Sequence, residues 1–367
     1  MLKTLFASAA AIVLTASLAT AADLTGKTWD EIVAQAKEEG QMTWFVWYLT
    51  DDLRRFVQPF EKEYGIKVTI PEGTASGNSD KLLAEKGRET GDIDAFAWGF
   101  TDFDQIDNAS MFHKLDILPE DAGRVGQLAG SDGEGYVLAY WGNQTGIAYD
   151  PAHVDEANLP QSPEDFAAFW QANPEKFGFN YENGGAGPSF AENIMRVVAK
   201  VDSSTTEASP EWIASLQPAV DFLNEYAEDY IITTGNADSI TRISDGEIWM
   251  APAWEDHLAG LQKRGEARKE IKLYVPEMGM NGGGNGVAIP LNAAHPAAAA
   301  VFINWLTSAE VQTAFNEQFG TAPMNAAADD SNALVPNDQR QFSVPGLSKP
   351  QRDAMKTVLI DDVILER

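Results

Sequence analysis

The stretch EGYVLAYWGNQTGIAYDP, residues 134–151, decides how the rest of the chain is read. Two apolar runs, 136–141 and 145–149, flank the polar corner Gly142-Asn143-Gln144. Val, Ile and aromatic residues interrupted by Gly and Asn are strand chemistry. The stretch separates two blocks of similar length that both show an α/β pattern. Its spacing fits a strand that leaves one lobe and enters a second, and fits an ordinary core strand with a turn equally well. In the first case the crossing floors an interlobe cleft, where two-lobed α/β proteins hold their ligands. Trp141, Asn143 and Gln144 are then candidate contacts.

Working outward, residues 28–40 form an amphipathic helix pattern, with Trp29, Ile32, Val33 and Ala36 on one face and Gly40 as the stop. Strand patterns at 42–49, 65–70 and 94–98 alternate with helical ones at 53–64, 81–90 and 103–111, and 72–80 reads as a small, polar loop. This alternation predicts a parallel sheet covered by helices. Beyond the central stretch, helices are expected at 162–172, 189–201, 210–228, 240–245 and 253–263, and strands at 247–251 and 271–275. The run MGMNGGGNG, 278–286, fails the dinucleotide pattern because Val287 stands at the third glycine position. It reads as a flexible return crossing. A strand at 287–290, helices at 296–306 and 308–319, a loop at 326–345 and a helix at 349–364 complete the chain.

Lys3, the apolar or small run 5–18 and the small-x-small site Ala19-Thr20-Ala21 have the form of a secretory signal peptide cleaved near Ala21. The apolar run is too short to span a membrane. The chain has no cysteine, which removes disulfides, thiolate metal sites and cysteine nucleophiles. Its formal net charge of −29 opposes binding to nucleic acid or anionic lipid. His113, His153, His257 and His295 are isolated and lack zinc-ligand spacing. There is no nucleophile elbow, HExxH or P-loop, and acidic residues are too common for any glycosidase pair to stand out. Neither a catalytic residue, a metal nor a cofactor is expected.

Four loose stretches in a fixed order carry a resemblance. They are FEKEYGIKV at 60–68, the crossing at 141–151, 246–251, and 287–290 continuing through FINWL at 302–306, SAEV at 308–311 and GTAP at 320–323. The chain resembles the periplasmic solute-binding proteins of bacterial ABC importers, in the branch containing polyamine, thiamine, iron and maltose binders. The resemblance implies a type II, Venus-flytrap fold, each lobe a mainly parallel sheet flanked by helices. It implies residues 22–139 plus 277–322 as lobe one and 140–276 plus 323–367 as lobe two. It also implies an aromatic after the first strand, where Trp47 and Tyr48 stand, with Trp98 and Trp254 facing the cleft. Two departures bear on the ligand. The paired tyrosines typical of ferric-iron binders are missing, and Asn285 stands where polyamine binders carry an aspartate.

These features lead to a substrate-binding component that captures a small polar solute, a polyol or sugar ahead of a polyamine, and hands it to an inner-membrane permease. A monomer in the periplasm is expected. Trp47, Tyr48, Trp98, Trp141 and Trp254 would supply ring faces. Asn78, Ser79, Asn143, Gln144, Asn281 and Asn285 would supply hydrogen bonds. Glu255 and Asp256 would hold an ammonium or accept from hydroxyls. An exported hydrolase is the competing class, and needs a carboxylate pair in a cleft.

Overall fold

The computed structural model describes residues 24–202, 205–282 and 284–367; the signal peptide read at 1–21 lies outside them. In chain order, the strands that position the site are β1 (Gln41–Phe45), β2 (Lys67–Thr69), β3 (Ala95–Gly99), β4 (Leu138–Trp141), β5 (Thr145–Tyr149), β6 (Gly178–Phe179), β7 (Ile231–Ile232), β8 (Met250–Trp254), β9 (Lys272–Tyr274), β10 (Met280–Asn281), β11 (Asn285–Ala288) and β12 (Ser343–Val344). The helices that matter here are α1 (Trp29–Glu39), α2 (Thr50–Phe56), α3 (Ala75–Glu85), α4 (Ala186–Val198), α5 (Glu255–Arg264), α6 (Pro296–Leu306), α7 (Ala309–Phe319) and α8 (Lys349–Leu359).

The first sheet has the order β2-β1-β3-β11-β4. β1 pairs in parallel with β2 and β3, whereas β11 is antiparallel to both of its neighbours. The second sheet centres on β5, antiparallel to β8 and β9. A parallel bridge between Phe177 and Met250 joins β8 to the parallel pair β6–β7. The strand order is therefore β7-β6-β8-β5-β9, the same plan as in the first lobe. In each sheet one strand runs against the rest, and it is the strand that arrives from the other lobe: β5 in one, β11 in the other. Sequence 134–151 thus contains the last strand of one sheet and the reversed strand of the next.

Each lobe has its own core. Ile147–Met280 and Val335–Val363 contribute the buried residues of the second lobe. Trp44, Phe60, Tyr140, Trp141 and the alanine-rich face of α6 fill the first. α1 packs on α6, and the Glu39 carboxylate accepts from Ala298 N at 2.7 Å, capping α6 where Pro296 has no N–H to offer. Among the described residues, no helix is long and apolar enough to cross a membrane.

Some elements differ from expectation. The helix read at 53–64 is two, Thr50–Phe56 and Gln58–Tyr64, because Pro59 cannot continue the hydrogen-bond ladder. Pro218 likewise divides 210–228 into Pro210–Ala214 and Gln217–Glu225. The loop read at 72–80 is mostly helix: Thr74 Oγ1 accepts from Gly77 N at 3.0 Å and starts α3 through residues of low helix propensity. Residues 103–111 hold only short 3₁₀ turns.

The glycines of 278–286 have a packing cause. Gly284 has φ +75°, and a Cβ on it would overlap Trp141 O. A Cβ on Gly142 would meet Met324 and Ala322, and one on Gly282 would overlap the Gln144 side chain. The crossing segments touch backbone to backbone, which only glycine allows. Gln144, 2% exposed, donates its amide to Thr145 O at 2.9 Å and to Met280 O at 3.2 Å, tying the two crossings. A third crossing follows when β12 pairs with β10. Gly284→Ala combines positive φ with this overlap and is expected to cost more than about 1 kcal/mol. Urea denaturation checks it, and an unchanged midpoint would show that the crossings have room to separate.

Candidate functional site

A cavity of about 550 Å³ lies between the lobes, directly over the crossings. Its first-lobe wall begins where β1 ends. Leu49 takes φ +47°, a left-handed conformation costly for a branched side chain, and turns the chain into α2. This turn leaves Trp47 and Tyr48 on the wall. The Tyr48 ring meets Trp47 at 5.0 Å and Trp141 at 4.9 Å, both edge to face, and Trp141 packs on Phe319 at 4.9 Å. The Tyr48 hydroxyl lies 2.7 Å from that of Tyr140. Burial pushes both phenols above the usual range, so neither is a phenolate at neutral pH.

The second-lobe wall is built on helix starts. β8 runs straight into α5, placing Trp254 and Asp256 on the cavity with His257. Asn143 Oδ1 accepts from Gln144 N at 3.1 Å and Asp256 N at 3.4 Å, linking the crossing to α5. The α4 start contributes Gly185, Pro188 and Ser189, and no acid occupies its first turn. Asn281 is held by Ser189 Oγ, which accepts its N–H at 3.2 Å, by Asn193, and by Glu192, to which its amide donates at 3.3 Å.

Of the residues singled out from sequence, Trp47, Tyr48, Trp141, Asn143, Trp254, Asp256, Asn281 and Asn285 line this one cavity. Others lie elsewhere. Trp98 is half-buried against Phe96 and Phe103, at 5.9 and 5.8 Å. Asn78 and Ser79 belong to the first turns of α3, Asn78 being buried. Gln144 is the buried tie between crossings. Glu255 is fully buried and holds Arg340 through both oxygens, at 3.2 and 2.9 Å. Arg340 also donates to Gly142 O at 3.2 Å. Burial pushes the Glu255 carboxyl up, and the facing guanidinium opposes that. This pair anchors the α5 start to the crossing.

Thr101, Asp102, Glu192, His257 and Arg352 also line the cavity and were not anticipated. Asp102 follows the end of β3, a position where strand-end reasoning could have found it. Arg352 comes from α8, which nothing in the sequence tied to the cleft. Burial raises the Asp102 carboxyl, with Arg352 opposing, and burial lowers the His257 imidazole. Among the described residues no group of three or more His, Cys, Asp or Glu could hold a metal.

A water-accessible cleft between two α/β lobes, walled by rings and amides and crossed by its own hinge, defines a protein that captures small solutes. Residues 55–340 match the family model of bacterial extracellular solute-binding proteins, and the chain belongs to that family. It is 24% identical over 316 residues to the Fe(3+)-binding periplasmic protein of Serratia marcescens, covering 83% of this chain and 85% of that one. Solved structures share the fold. The spermidine/putrescine ABC transporter substrate-binding protein PotD of Streptococcus pneumoniae matches with TM-score 0.64 and 15% identity, over 89% of this chain and 98% of that one. RafE in complex with raffinose matches with TM-score 0.66 and 16% identity, over 89% and 96%. The chain is thus a solute-binding protein of a family that works outside the cytoplasm.

Asp256 gives a pH signature. Burial raises its carboxyl from 3.8 to about 6. The folded state then holds this proton more tightly than the unfolded chain. Stability from this group is highest below about pH 4 and falls as pH rises through 6. Asp256→Asn is expected to raise the melting temperature of the ligand-free protein at pH 7.5 and to have no such effect at pH 4. The gain, up to about 2 kcal/mol, is readable by calorimetry at both pH values. An equal effect at the two would mean Asp256 is not desolvated.

Proposed function

We propose that the solute is small and hydroxyl-rich, a polyol or sugar, stacked on the aromatic wall and hydrogen-bonded by the amides. One observation carries this reading. Trp47, Tyr48, Trp141 and Trp254 line the same cavity as Asn143, Asn281 and Asn285. Ring faces suit the CH-rich faces of sugars, and neutral amides both donate to and accept from hydroxyls. A cavity of about 550 Å³ suits a molecule of that class. The lobes close on it, the crossings acting as hinge. For the lobes we propose the sequence division, 22–139 plus 277–322 and 140–276 plus 323–367. Packing of Tyr140 and Trp141 in the first core and Met280 in the second favours moving two of those limits by a few residues. Export by the signal peptide at 1–21, residence in the periplasm and action as a monomer belong to the same proposal.

A polyamine or other amine is the second reading, favoured by Asp102, Glu192 and Asp256 on the cavity wall. An iron reading gains nothing from Tyr48 and Tyr140, whose hydroxyls bond each other with their protons retained.

A thermal-shift screen over polyols, sugars, polyamines and ferric citrate tests the class, since a ligand that binds the folded state raises apparent stability. Trp254→Ala is expected to weaken the best hit by about 1–3 kcal/mol. A neutral polyol should bind about equally at 20 mM and 500 mM salt, whereas an ammonium held by Asp256 should lose affinity. A hit confined to polyamines that weakens with salt would replace the polyol reading by the amine one. With the hit bound, small-angle scattering should report a smaller radius of gyration than for the free protein.

A further inference from the structure

Most arginines of this acidic chain sit against carboxylates, as Arg54, Arg88, Arg242, Arg268 and Arg340 do. Arg352 is an exception. It stands on the wall of the interlobe cavity, its Nη1 donates to Leu347 O at 2.8 Å, and no carboxylate of the described residues reaches ion-pair distance of it. Arg196 and Arg367 likewise form no ion pair among the described residues, but Arg352 alone of the three stands on the cavity wall. Around it, the cavity offers donors. The α4 start, with no acid in its first turn, brings Ser189 to the same wall. Trp141, 1% exposed and on the cavity floor, has an indole N–H without a partner. The cavity's carboxylates are distributed around this pole. Asp256 lies beside Asn143, and Glu192 already accepts from Asn281 and from Leu347 N at 3.0 Å. Asp102, on the other lobe, feels the Arg352 charge across the cleft.

From this placement we infer that the solute carries an anionic oxygen group, a carboxylate or a phosphate ester, on its hydroxylated chain, and that Arg352 receives it. The inference rests on the hydroxyl-rich reading above and narrows it. A guanidinium fork matches either group through two parallel hydrogen bonds, with geometry that an ammonium lacks. A helix start beside it adds favourable dipole for the same charge. The rings and amides at Trp254, Asn143 and Asn285 would take the neutral remainder of the molecule.

Matched probes test this with the full mature chain. D-Glucitol, D-gluconate and D-glucose 6-phosphate share a six-carbon hydroxylated body and differ in the terminal group. Calorimetric titration should show gluconate or the phosphate ester binding at least 10-fold more tightly than glucitol, and which of the two wins assigns the group. Arg352→Gln, at an exposed side chain whose loss leaves the core intact, should remove about 10- to 100-fold of that advantage and leave glucitol unchanged. Arg352→Lys should restore part of it. Circular dichroism melting shows whether each variant is folded. Glucitol binding as well as the anions overturns the inference and leaves the polyol reading standing. A loss in Arg352→Gln that is equal for all three probes also overturns it, and assigns Arg352 to a closing contact with Asp102. An anion response with inorganic phosphate or acetate alone, while every hydroxylated probe fails, sinks the polyol reading but keeps Arg352 as an anion site. No response to any probe overturns both.

Discussion

The contact between the crossing segments governs the rest of this molecule. At Gly284 the return crossing lies so close to the Trp141 carbonyl that no Cβ is tolerated, and Gly142 is closed in by Ala322 and Met324. Gln144 fastens the crossing segments by giving its amide to carbonyls on both sides. Removing that amide would leave buried carbonyls unpaired, a cost comparable to the hydrogen bonds themselves. The same few residues serve three purposes. They end one sheet, begin the next, and form the floor on which Trp141, Asn143 and Asn281 are presented. The position of the cleft is thus set by the hinge itself.

Electrostatics reinforces this arrangement. Glu255 begins α5 in full burial, and its charge is answered by Arg340 from the distant segment 337–342. Arg340 reaches Gly142 O as well, so one guanidinium binds a helix start to the crossing. Breaking such a buried pair from one side leaves an uncompensated charge. The neighbour Asp256 is in the opposite situation: desolvated on the cavity wall and without a cation among the described residues, it keeps its proton to about pH 6. Two adjacent carboxyls therefore have different settings, one tied into the structure and one facing the interlobe cavity.

Much of the fold was legible because the decisive stretch has two apolar runs of different surroundings around a Gly-Asn-Gln corner. The alternation that follows β1 and β3 gave the α/β class, and residues 141–151 located the crossing. The glycine run at 278–286 was recognised as a return crossing, but its cause was not. Glycine there reflects the approach of Trp141 O, which no local pattern reveals. Among the cavity-lining residues, Trp47, Tyr48 and Trp254 were reached through the family resemblance, at a strand end and a helix start. Glu255 and Asp256 look alike in sequence, and only packing separates a residue buried against Arg340 from one on a cavity wall. Arg352 was invisible because α8 reaches the cleft from the far end of the chain. Asn78 sits beside a true helix cap, Thr74, and its burial comes from α3 packing in the first lobe.

β11 lies in the middle of the first sheet, between β3 and β4, and α6 and α7 fill much of the core beneath it. All three come after β5 to β9, the strands of the second lobe's main sheet, in the chain. The lobe whose residues are made first therefore lacks its central strand and two core helices until about residue 319 has been added. Until then β3 and β4 have no neighbour to join them, and Trp44, Phe60 and Phe96 have no complete interior to enter. Both lobes thus wait on late-made chain, the first for β11, α6 and α7 and the second for the buried residues of 335–363. Neither core can close around a shorter chain, so the folding of both lobes waits on residues 285–363.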